Sequence, residues 1–275
     1  MKTNRRYFGL DKNIFFTGLT SFFTDTSSKM VYSVMPLFLL SIGATKTQLS
    51  LIEGIAESTA SLLKAVSGFW SDKIGKNKPF MIIGYAATAL VTPLYSYVVH
   101  PMQVLVFRFL ERVGKGIRTA PRDSLVAASS PKNETGKSFG FHKAMDNSGA
   151  IIGPLIAAAV LFFLPKDNPG FQYKTIFWLA AIPAVVGVFV LIFLVKDVKV
   201  QSVSAKTPVS IKKLPKNFYF FLLIISIFTL GNSTDSLLIV RTSETGISSS
   251  WIPFIYMIFN MVSVFLAIPI GKLSD

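Results

Sequence analysis

Five basic side chains recur at helical spacing between residues 108 and 123, where the sequence reads RFLERVGKGIRTAPRD. They are Arg108, Arg112, Lys115, Arg118 and Arg122. At about 100° per residue, a helix places all five on about a third of its surface. Such a stripe has the chemistry to hold an anion, because guanidinium groups bind carboxylates and phosphates through two parallel hydrogen bonds. The same pattern also describes a basic face in water, so its meaning depends on where the helix lies.

The composition indicates an all-α polytopic membrane protein. Of the 275 residues, 51% are hydrophobic and 15% are charged, and the mean hydropathy is +0.53. Soluble domains carry about 25% charged residues, so this deficit points to apolar spans. The formal charge of +14 has no nucleic-acid-binding motif beside it, and basic loops explain it, so we expect no nucleic-acid partner. The absence of Cys rules out thiolate metal sites, and we expect no metal, cofactor or catalytic residues.

Eight segments are long and apolar enough to be membrane spans, which need about 20 residues each. They are residues 14–41, 49–71, 80–99, 101–129, 139–164, 176–195, 218–240 and 251–270. A polar stretch rich in Lys separates the sixth span from the seventh. We therefore predict a six-helix transmembrane bundle over residues 1–195, a cytoplasmic linker over 196–217, and a partial second bundle of helices 7 and 8 over 218–275.

The loops differ in charge from one side of the membrane to the other. Sixteen Lys and Arg lie on the side of the N-terminus, and Lys46, Lys166 and Lys174 lie on the opposite side. The positive-inside rule predicts a cytoplasmic N-terminus, in a plasma membrane (the inner membrane if the source is a bacterium). The fourth span must then cross inward, and its apolar part, residues 102–110, is too short to cross about 30 Å. Four residues of the stripe, Arg108, Arg112, Lys115 and Arg118, are therefore expected within the membrane, and Arg122 toward its cytoplasmic side. Charges at this depth face the bundle interior or a water-filled cavity.

Other charges inside the spans fall in pairs four residues apart, which share a helix face. Asp235 and Arg241 lie on the seventh span. The predicted substrate cavity comprises Asp25, Lys29, Glu53, Glu57, Arg108, Arg112, Lys115, Arg118, His142 and Asp146. Carboxylates in such a place can carry protons, and the proton-coupling candidates are Asp25, Glu53, Glu57 and Asp146. Two interpretations stay open: Arg112, Lys115 and Arg118 meet an anionic solute, or the charges form interhelical networks that hold and switch the bundle.

The chain also resembles itself at an offset of 203 residues. Gly43 falls on Gly246, Gly68 on Gly271 and Asp72 on Asp275. A repeat of six spans in parallel orientation is a known transporter architecture. On this interpretation the sequence stops two spans into its second copy, and we expect it to be a fragment of a longer protein.

Three motifs resemble signatures of the major facilitator superfamily. Residues 68–78, GFWSDKIGKNK, resemble the loop 2–3 signature G-x-L-a-D-R-x-G-R-K, with Trp70 for Leu and Lys for two of the Arg. Residues 108–111, RFLE, resemble the fourth-helix signature R-x-x-Q-G, with Glu for Gln and Arg112 for Gly. Residues 149–154, GAIIGP, resemble the fifth-helix signature G-x-x-x-G-P, without its later Gly pair.

The resemblance covers essentially the whole chain and implies the facilitator fold, with a complete N-terminal six-helix bundle and the first two helices of the C-terminal one. It implies a gating loop in which Asp72 contacts the opposite half and Lys76 pairs with an acid on helix 4, for which Asp123 is the candidate. The residues involved are Gly68, Asp72, Gly75, Lys76 and Asp123. The helix-5 motif, Gly149, Gly153 and Pro154, weakly favours antiport or efflux, although small residues there also serve ordinary close packing.

The most direct functional expectation is a secondary active transporter that moves a small anionic organic solute by alternating access. Its partners would be that solute, a proton or counter-solute, and the lipid bilayer. One alternative is a multidrug or solute efflux pump, although a cavity for cationic amphiphiles would be acidic rather than basic. Another is a non-transporting membrane receptor or an inactive truncated product. No motif of an intramembrane enzyme is present in the sequence, and we expect none of that activity.

Overall fold

The computed structural model describes residues 6–7, 9–131, 134–165, 167–198, 215–231 and 234–261. Almost all of this is helical, which confirms the predicted fold class. The first six helices are α1 (Lys12–Ser41), α2 (Lys46–Ile74), α3 (Lys78–Leu94), α4 (Pro101–Ser129), α5 (Thr135–Phe163) and α6 (Pro169–Leu194). They are followed by α7 (Lys216–Gly231), α8 (Asp235–Glu244) and α9 (Ile252–Met261). A two-residue antiparallel pair, β1 (Arg6–Tyr7) with β2 (Leu10–Asp11), precedes α1.

Four of the first six helices, α1, α2, α4 and α6, begin at residues whose side chains accept hydrogen bonds from the first free N–H groups, as N-caps do. Asp11 caps α1, and Asn168 caps α6. Thr45 and Gln48 form a reciprocal capping box at the start of α2. At its other end, α2 stops at Gly75, which has a left-handed φ of 70°. These local signals set the helix ends within a few residues of the predicted spans.

Three helical segments are long and apolar enough to cross a membrane: Lys78–Tyr97, Thr135–Phe163 and Pro169–Leu194. They indicate an integral membrane protein. The helix α4 has 29 residues, the same length as α5, but it carries the basic stripe on one side. Neighbouring helices cover much of this basic side, and Arg108, Arg112 and Arg118 are buried. This packing allows α4 to lie among the apolar helices.

The bundle is organised around α1, which packs along α5 and α6, while α4 packs between α2 and α3. Small residues allow the closest approaches. A Cβ atom added at Gly149 would lie 2.6 Å from the Phe22 carbonyl oxygen of α1. One added at Gly153 would lie 2.9 Å from the Met30 nitrogen. The helix-5 motif therefore contacts the backbone of α1 directly, as small residues do in membrane bundles.

The start of α1 and the residues that follow α6 are hydrogen-bonded to each other. The Asn13 side chain donates to the Lys196 carbonyl at 3.0 Å and accepts from the Lys196 N–H at 2.9 Å. Nearby, the Lys78 ammonium donates to the last carbonyls of α6, Ile192 and Val195, at 2.8 and 2.7 Å. Asp197 in turn accepts from the Asn77 N–H at the start of α3. These contacts satisfy helix-end groups that have no partner within their own helix.

The later helices match the proposed repeat and differ from the sequence prediction in one respect. Gly43 and Gly246, which the offset of 203 aligns, both have left-handed backbone, with φ of 86° and 83°. The predicted seventh span is not one helix, because α7 ends at Gly231 and α8 begins after the extended residue Thr234. Gly, Asn, Ser and Thr occupy residues 231–234, and these residues favour caps and turns over helix interiors. Most of the predicted linker, and the repeat matches at Gly271 and Asp275, lie outside the described residues.

Candidate functional site

A polar cavity of about 150 Å³ lies between α1, α2, α4 and α8. Its basic lining residues are Lys29, Arg108, Arg112, Lys115 and Arg118. Its acidic lining residues are Asp25, Glu57, Glu111 and Asp235, joined by Ser28 and Tyr32. Eight of the ten residues predicted to form the cavity either line it or contact its wall: the exceptions are His142 and Asp146.

The arrangement follows from two glycines set between the basic residues of α4. A Cβ atom at Gly114 would lie 2.7 Å from the Gly84 carbonyl oxygen of α3, and one at Gly116 would lie 3.0 Å from the Ala60 carbonyl oxygen of α2. The small side of α4 therefore packs tightly into the bundle. The long cationic side chains at Arg112 and Lys115 occupy the remaining side, which borders the cavity.

Arg108 is fully engaged in a buried network. Its Nη2 lies 2.7 Å from both carboxylate oxygens of Glu53, and its Nε donates to the same group at 3.0 Å. Its Nη1 donates to Glu111 at 3.0 Å, and Glu111 also accepts from the Tyr95 hydroxyl at 3.1 Å. Arg108 is 1% exposed. Arg108 lines the cavity, and Glu53 contacts Arg108 without lining the cavity itself. This part of the basic stripe therefore joins α2 to α4.

Arg112 is only partly engaged. Its Nη2 lies 2.9 Å from Glu57, which is itself more than half exposed, whereas Arg112 is 7% exposed. The Nε atom of Arg112 is buried and has no hydrogen-bond partner among the described residues. A buried donor without a partner costs free energy, so this atom marks a place where an acceptor would be favourable.

Lys115 and Arg118 have no carboxylate partner in the part of the chain that the structure describes. Lys115 is exposed at the cavity. Arg118 is buried, donates to the Thr88 hydroxyl at 2.7 Å, and lies with its Cζ atom 4.4 Å from the centre of the Tyr85 ring. Both side chains therefore keep their charge uncompensated by a direct ion pair.

Two carboxylates on the same cavity are equally free of ion pairs within the described residues. Asp25 makes no hydrogen bond there. Asp235 accepts a hydrogen bond from the Tyr256 hydroxyl at 3.2 Å, and that hydroxyl accepts one from the Lys29 ammonium at 2.9 Å. Tyr256 therefore bridges α1 and α8. Sequence reasoning missed Tyr256, and it noted Asp235 as an in-span charge without assigning it to the cavity.

A second polar cluster lies nearer the N-terminal end of the bundle. His142 contacts Ser21 at 2.9 Å, and Ser21 in turn contacts the Tyr85 hydroxyl at 3.0 Å. Asp146 has one oxygen 3.8 Å from His142 Nδ1 and the other 3.8 Å from an Arg122 nitrogen. His142 and Asp146 belong to this cluster and do not line the cavity.

The predicted gating residues lie at the same end of the bundle. A Cβ atom at Gly68 would lie 3.2 Å from that of Ala120, so α2 and α4 are close there. Asp123 pairs with its neighbour Arg122 at 2.9 Å, not with Lys76, which is exposed. The expected Lys76–Asp123 pair is therefore not formed in this structure, because Arg122 is adjacent in sequence and reaches the carboxylate first. Asp72 is exposed and forms no ion pair with a described residue.

Six packed helices and a charged cavity among apolar helices together indicate a polytopic membrane protein of the carrier type. The sequence matches the family model of the Major Facilitator Superfamily over residues 17–275. The chain belongs to that superfamily, which confirms the predicted family. Membership indicates a transporter.

Relatives belong to the same family, and a solved structure shares the fold. The chain is 32% identical to an uncharacterized MFS-type transporter of Methanocaldococcus jannaschii, over all of this chain and 69% of that protein. It is 26% identical to a homolog of the multidrug resistance efflux pump PmrA from Lactococcus lactis, over 53% of this chain and 37% of the pump. The fold matches a bacterial homolog of the human lysosomal transporter Spinster with a TM-score of 0.71 and 14% identity. That match covers 95% of this chain and 61% of the homolog.

Proposed function

We propose that this chain is part of a secondary transporter that carries a small solute bearing an anionic group, by alternating access across a plasma membrane with the N-terminus in the cytoplasm. The anionic group binds to Arg112, Lys115 and Arg118. The observation that carries the proposal is the unpaired state of these cations: the buried Arg112 Nε has no acceptor, and Lys115 and Arg118 have no carboxylate partner among the described residues. A carboxylate or phosphate supplies the missing acceptors.

The proposed binding group is narrower than the whole basic stripe. Arg108 donates its hydrogen bonds to Glu53 and Glu111. It therefore joins α2 to α4 and does not bind the solute. Arg122 contacts Asp123 and Asp146 outside the cavity. Both earlier interpretations of the stripe therefore apply, each to a different part of it.

We assign coupling to Asp25, which has no ion pair among the described residues, and to Asp146, whose contacts with Arg122 and His142 are long, at 3.8 Å. Glu53 is committed to Arg108 and Glu57 to Arg112. Asp25 lines the cavity without an ion pair, and Asp146 has a buried oxygen without a hydrogen bond. Either can take up a proton as the anionic group arrives, because an uncompensated charge is costly inside a bundle. Exchange for a counter-solute would supply the same compensation.

Efflux is the second candidate, favoured by the similarity to a multidrug efflux pump over about half of the chain. This candidate differs from the first in the direction of transport and in the charge of the solute. A pump for cationic amphiphiles would bind them to Asp25 and Asp235, and Lys115 would then weaken binding. The Lys115→Gln variant should strengthen binding of a cationic dye on that hypothesis and weaken binding of an anion on ours.

A two-stage experiment tests the proposal. Purified protein in detergent is screened by thermal shift against carboxylates, organic phosphates and amino acids. The solutes that stabilise it are then tested for exchange in proteoliposomes containing a pH-sensitive dye. We expect stabilisation by at least one anionic-group solute, lost in the double variant Lys115→Gln/Arg118→Gln, and exchange that moves protons or a counter-solute. Failure of every solute in both binding and exchange would overturn the proposal.

A further inference from the structure

The cavity is lined by five cations and four carboxylates, and Glu53, which pairs with Arg108 beside the cavity, is a fifth carboxylate. Two ion-paired groups use three of these carboxylates and two of the cations: Arg108 with Glu53 and Glu111, and Arg112 with Glu57. The wall is therefore close to neutral as a whole, although its basic residues are concentrated on α4.

The groups left over are of both signs. Lys29, Lys115 and Arg118 are cations without a carboxylate partner, and Asp25 is a carboxylate without an ion pair, in each case within the described ranges. In the same ranges, Asp235 accepts from the Tyr256 hydroxyl, which also accepts from the Lys29 ammonium. An anion bound at Lys115 and Arg118 would share the cavity with Asp25 and Asp235, and like charges at close range in a low dielectric repel strongly. These carboxylates offset part of the attraction of the cations for a simple anion.

A solute that carries its own positive group resolves this conflict. From these unpaired charges we infer that the solute is a small zwitterion, an inference that rests on the function proposed above. Its carboxylate or phosphate binds Lys115, Arg118 and the free Nε of Arg112. Its ammonium group binds Asp25, with Asp235 of α8 completing the acidic side. The described part of the cavity, about 150 Å³, accommodates a compact molecule of the size of an amino acid.

Each half of the zwitterion can be removed chemically, which makes the inference testable on the purified 275-residue protein. The probes are the common L-amino acids and phosphoethanolamine, each with two blocked derivatives where chemistry allows. N-acetylation leaves the anion alone, and methyl esterification leaves the cation alone. Dissociation constants are measured by isothermal titration calorimetry in one buffer at pH 7.

We expect at least one zwitterion to bind, with both blocked forms weaker by about tenfold or more, since each loses a charge pair within the membrane interior. In Asp25→Asn, the preference for the zwitterion over its N-acetyl form should fall by about tenfold. The matched control is Glu244→Gln, which removes a carboxylate that contacts Lys46 outside the cavity and should leave that preference unchanged.

The outcomes separate this inference from the proposed function. Equal binding of a zwitterion and its N-acetyl form would overturn the inference and leave the proposed anion carrier intact, with a proton on Asp25 as the balancing charge. Equal binding of the methyl ester would overturn both. Binding of carboxylates or phosphates in the earlier screen, with no zwitterion bound, would overturn the inference alone. Failure of all solutes to bind or exchange would remove the proposed function as well.

Discussion

Arg108 and Glu53 form a buried ion pair in which one guanidinium nitrogen lies 2.7 Å from both carboxylate oxygens. The pair joins α4 to α2 in the interior of the bundle. Removing one partner of a buried pair costs about 3–5 kcal/mol when the other charge is left uncompensated. Because Arg108 keeps Glu111 as a partner, we expect Glu53→Gln to lower the free energy of unfolding by about 3 kcal/mol, the lower end of that range. Reversible unfolding in mixed detergent, followed by circular dichroism, measures it.

The control for this prediction is Lys115→Gln, which removes an exposed cation from α4, the helix of Arg108. This variant should change the free energy of unfolding little. Solute binding should respond in the opposite way, with Lys115→Gln weaker and any folded Glu53→Gln protein near normal. An unchanged stability of Glu53→Gln together with lost binding would show that the pair belongs to the binding site.

Gly153 gives a prediction about the helix-5 motif. A methyl group there meets the α1 backbone at Thr26 and Met30, so Gly153→Ala must push the two helices apart. Overpacking of this kind costs about 1–3 kcal/mol, and we expect a lower melting temperature. Gly140→Ala is the matched control, because it lies in the same helix with nothing within 4 Å of the added carbon. Equal melting temperatures for the two variants would contradict the packing role.

Arg112→Lys separates solute binding from helix packing at a single position. Lys keeps the charge and can still reach Glu57, but it lacks the Nε donor and the planar geometry for bidentate binding. We expect the dissociation constant of the solute to rise by about tenfold or more, as loss of a charge-assisted hydrogen bond predicts, with little change in melting temperature. The measurement is calorimetric titration of the best solute from the screen. An unchanged affinity would remove Arg112 from the binding group.

Lys46 and Glu244 contact each other between the start of α2 and the end of α8. The contact lies at the end of the bundle where α1 ends and joins α2 to α8. Because the sequence has no Cys, the double variant Lys46→Cys/Glu244→Cys can be tested directly with a short bifunctional thiol reagent. We expect efficient cross-linking without solute and a lower yield when the transported solute is present. Glu244 lies beside the start of α2, whereas Lys76 follows the other end of that helix, so the pair Lys76→Cys/Glu244→Cys should not cross-link. Equal yields for the two pairs would refute the contact.

The bounds of the helices were largely predictable, because they depend on local signals. The fourth span was predicted over the range that α4 occupies, Pro101–Ser129, since charge parity required a crossing there. The break in the seventh span was not predicted. Averaged over the whole span, the hydropathy stays high enough for a membrane helix despite its Gly, Asn, Ser and Thr. Their preference for helix caps is seen in the structure, where Thr234 has an extended backbone and α8 begins after it.

The site was predictable in its residue types but not in its pairings. Helical spacing placed Arg108, Arg112 and Lys115 on one face, and the structure brings all three to the cavity. Which of them would be neutralised depends on how α2 crosses α4, and spacing within one helix carries no such information. Tyr256 was missed for a related reason, because an aromatic residue in an apolar span gives no signal that its hydroxyl will bridge Lys29 and Asp235.

Asn13 and Lys196 hold the first turn of α1 against the residues that follow α6. An even number of crossings has returned the chain to the face where it began, and the two ends lie side by side. Such a module can be copied in tandem through a short connector, and the copy inserts with the same orientation as the original. A gene encoding six helices with adjoining ends is thus suited to duplication, and it could also be circularly permuted by joining those ends and opening a distant loop.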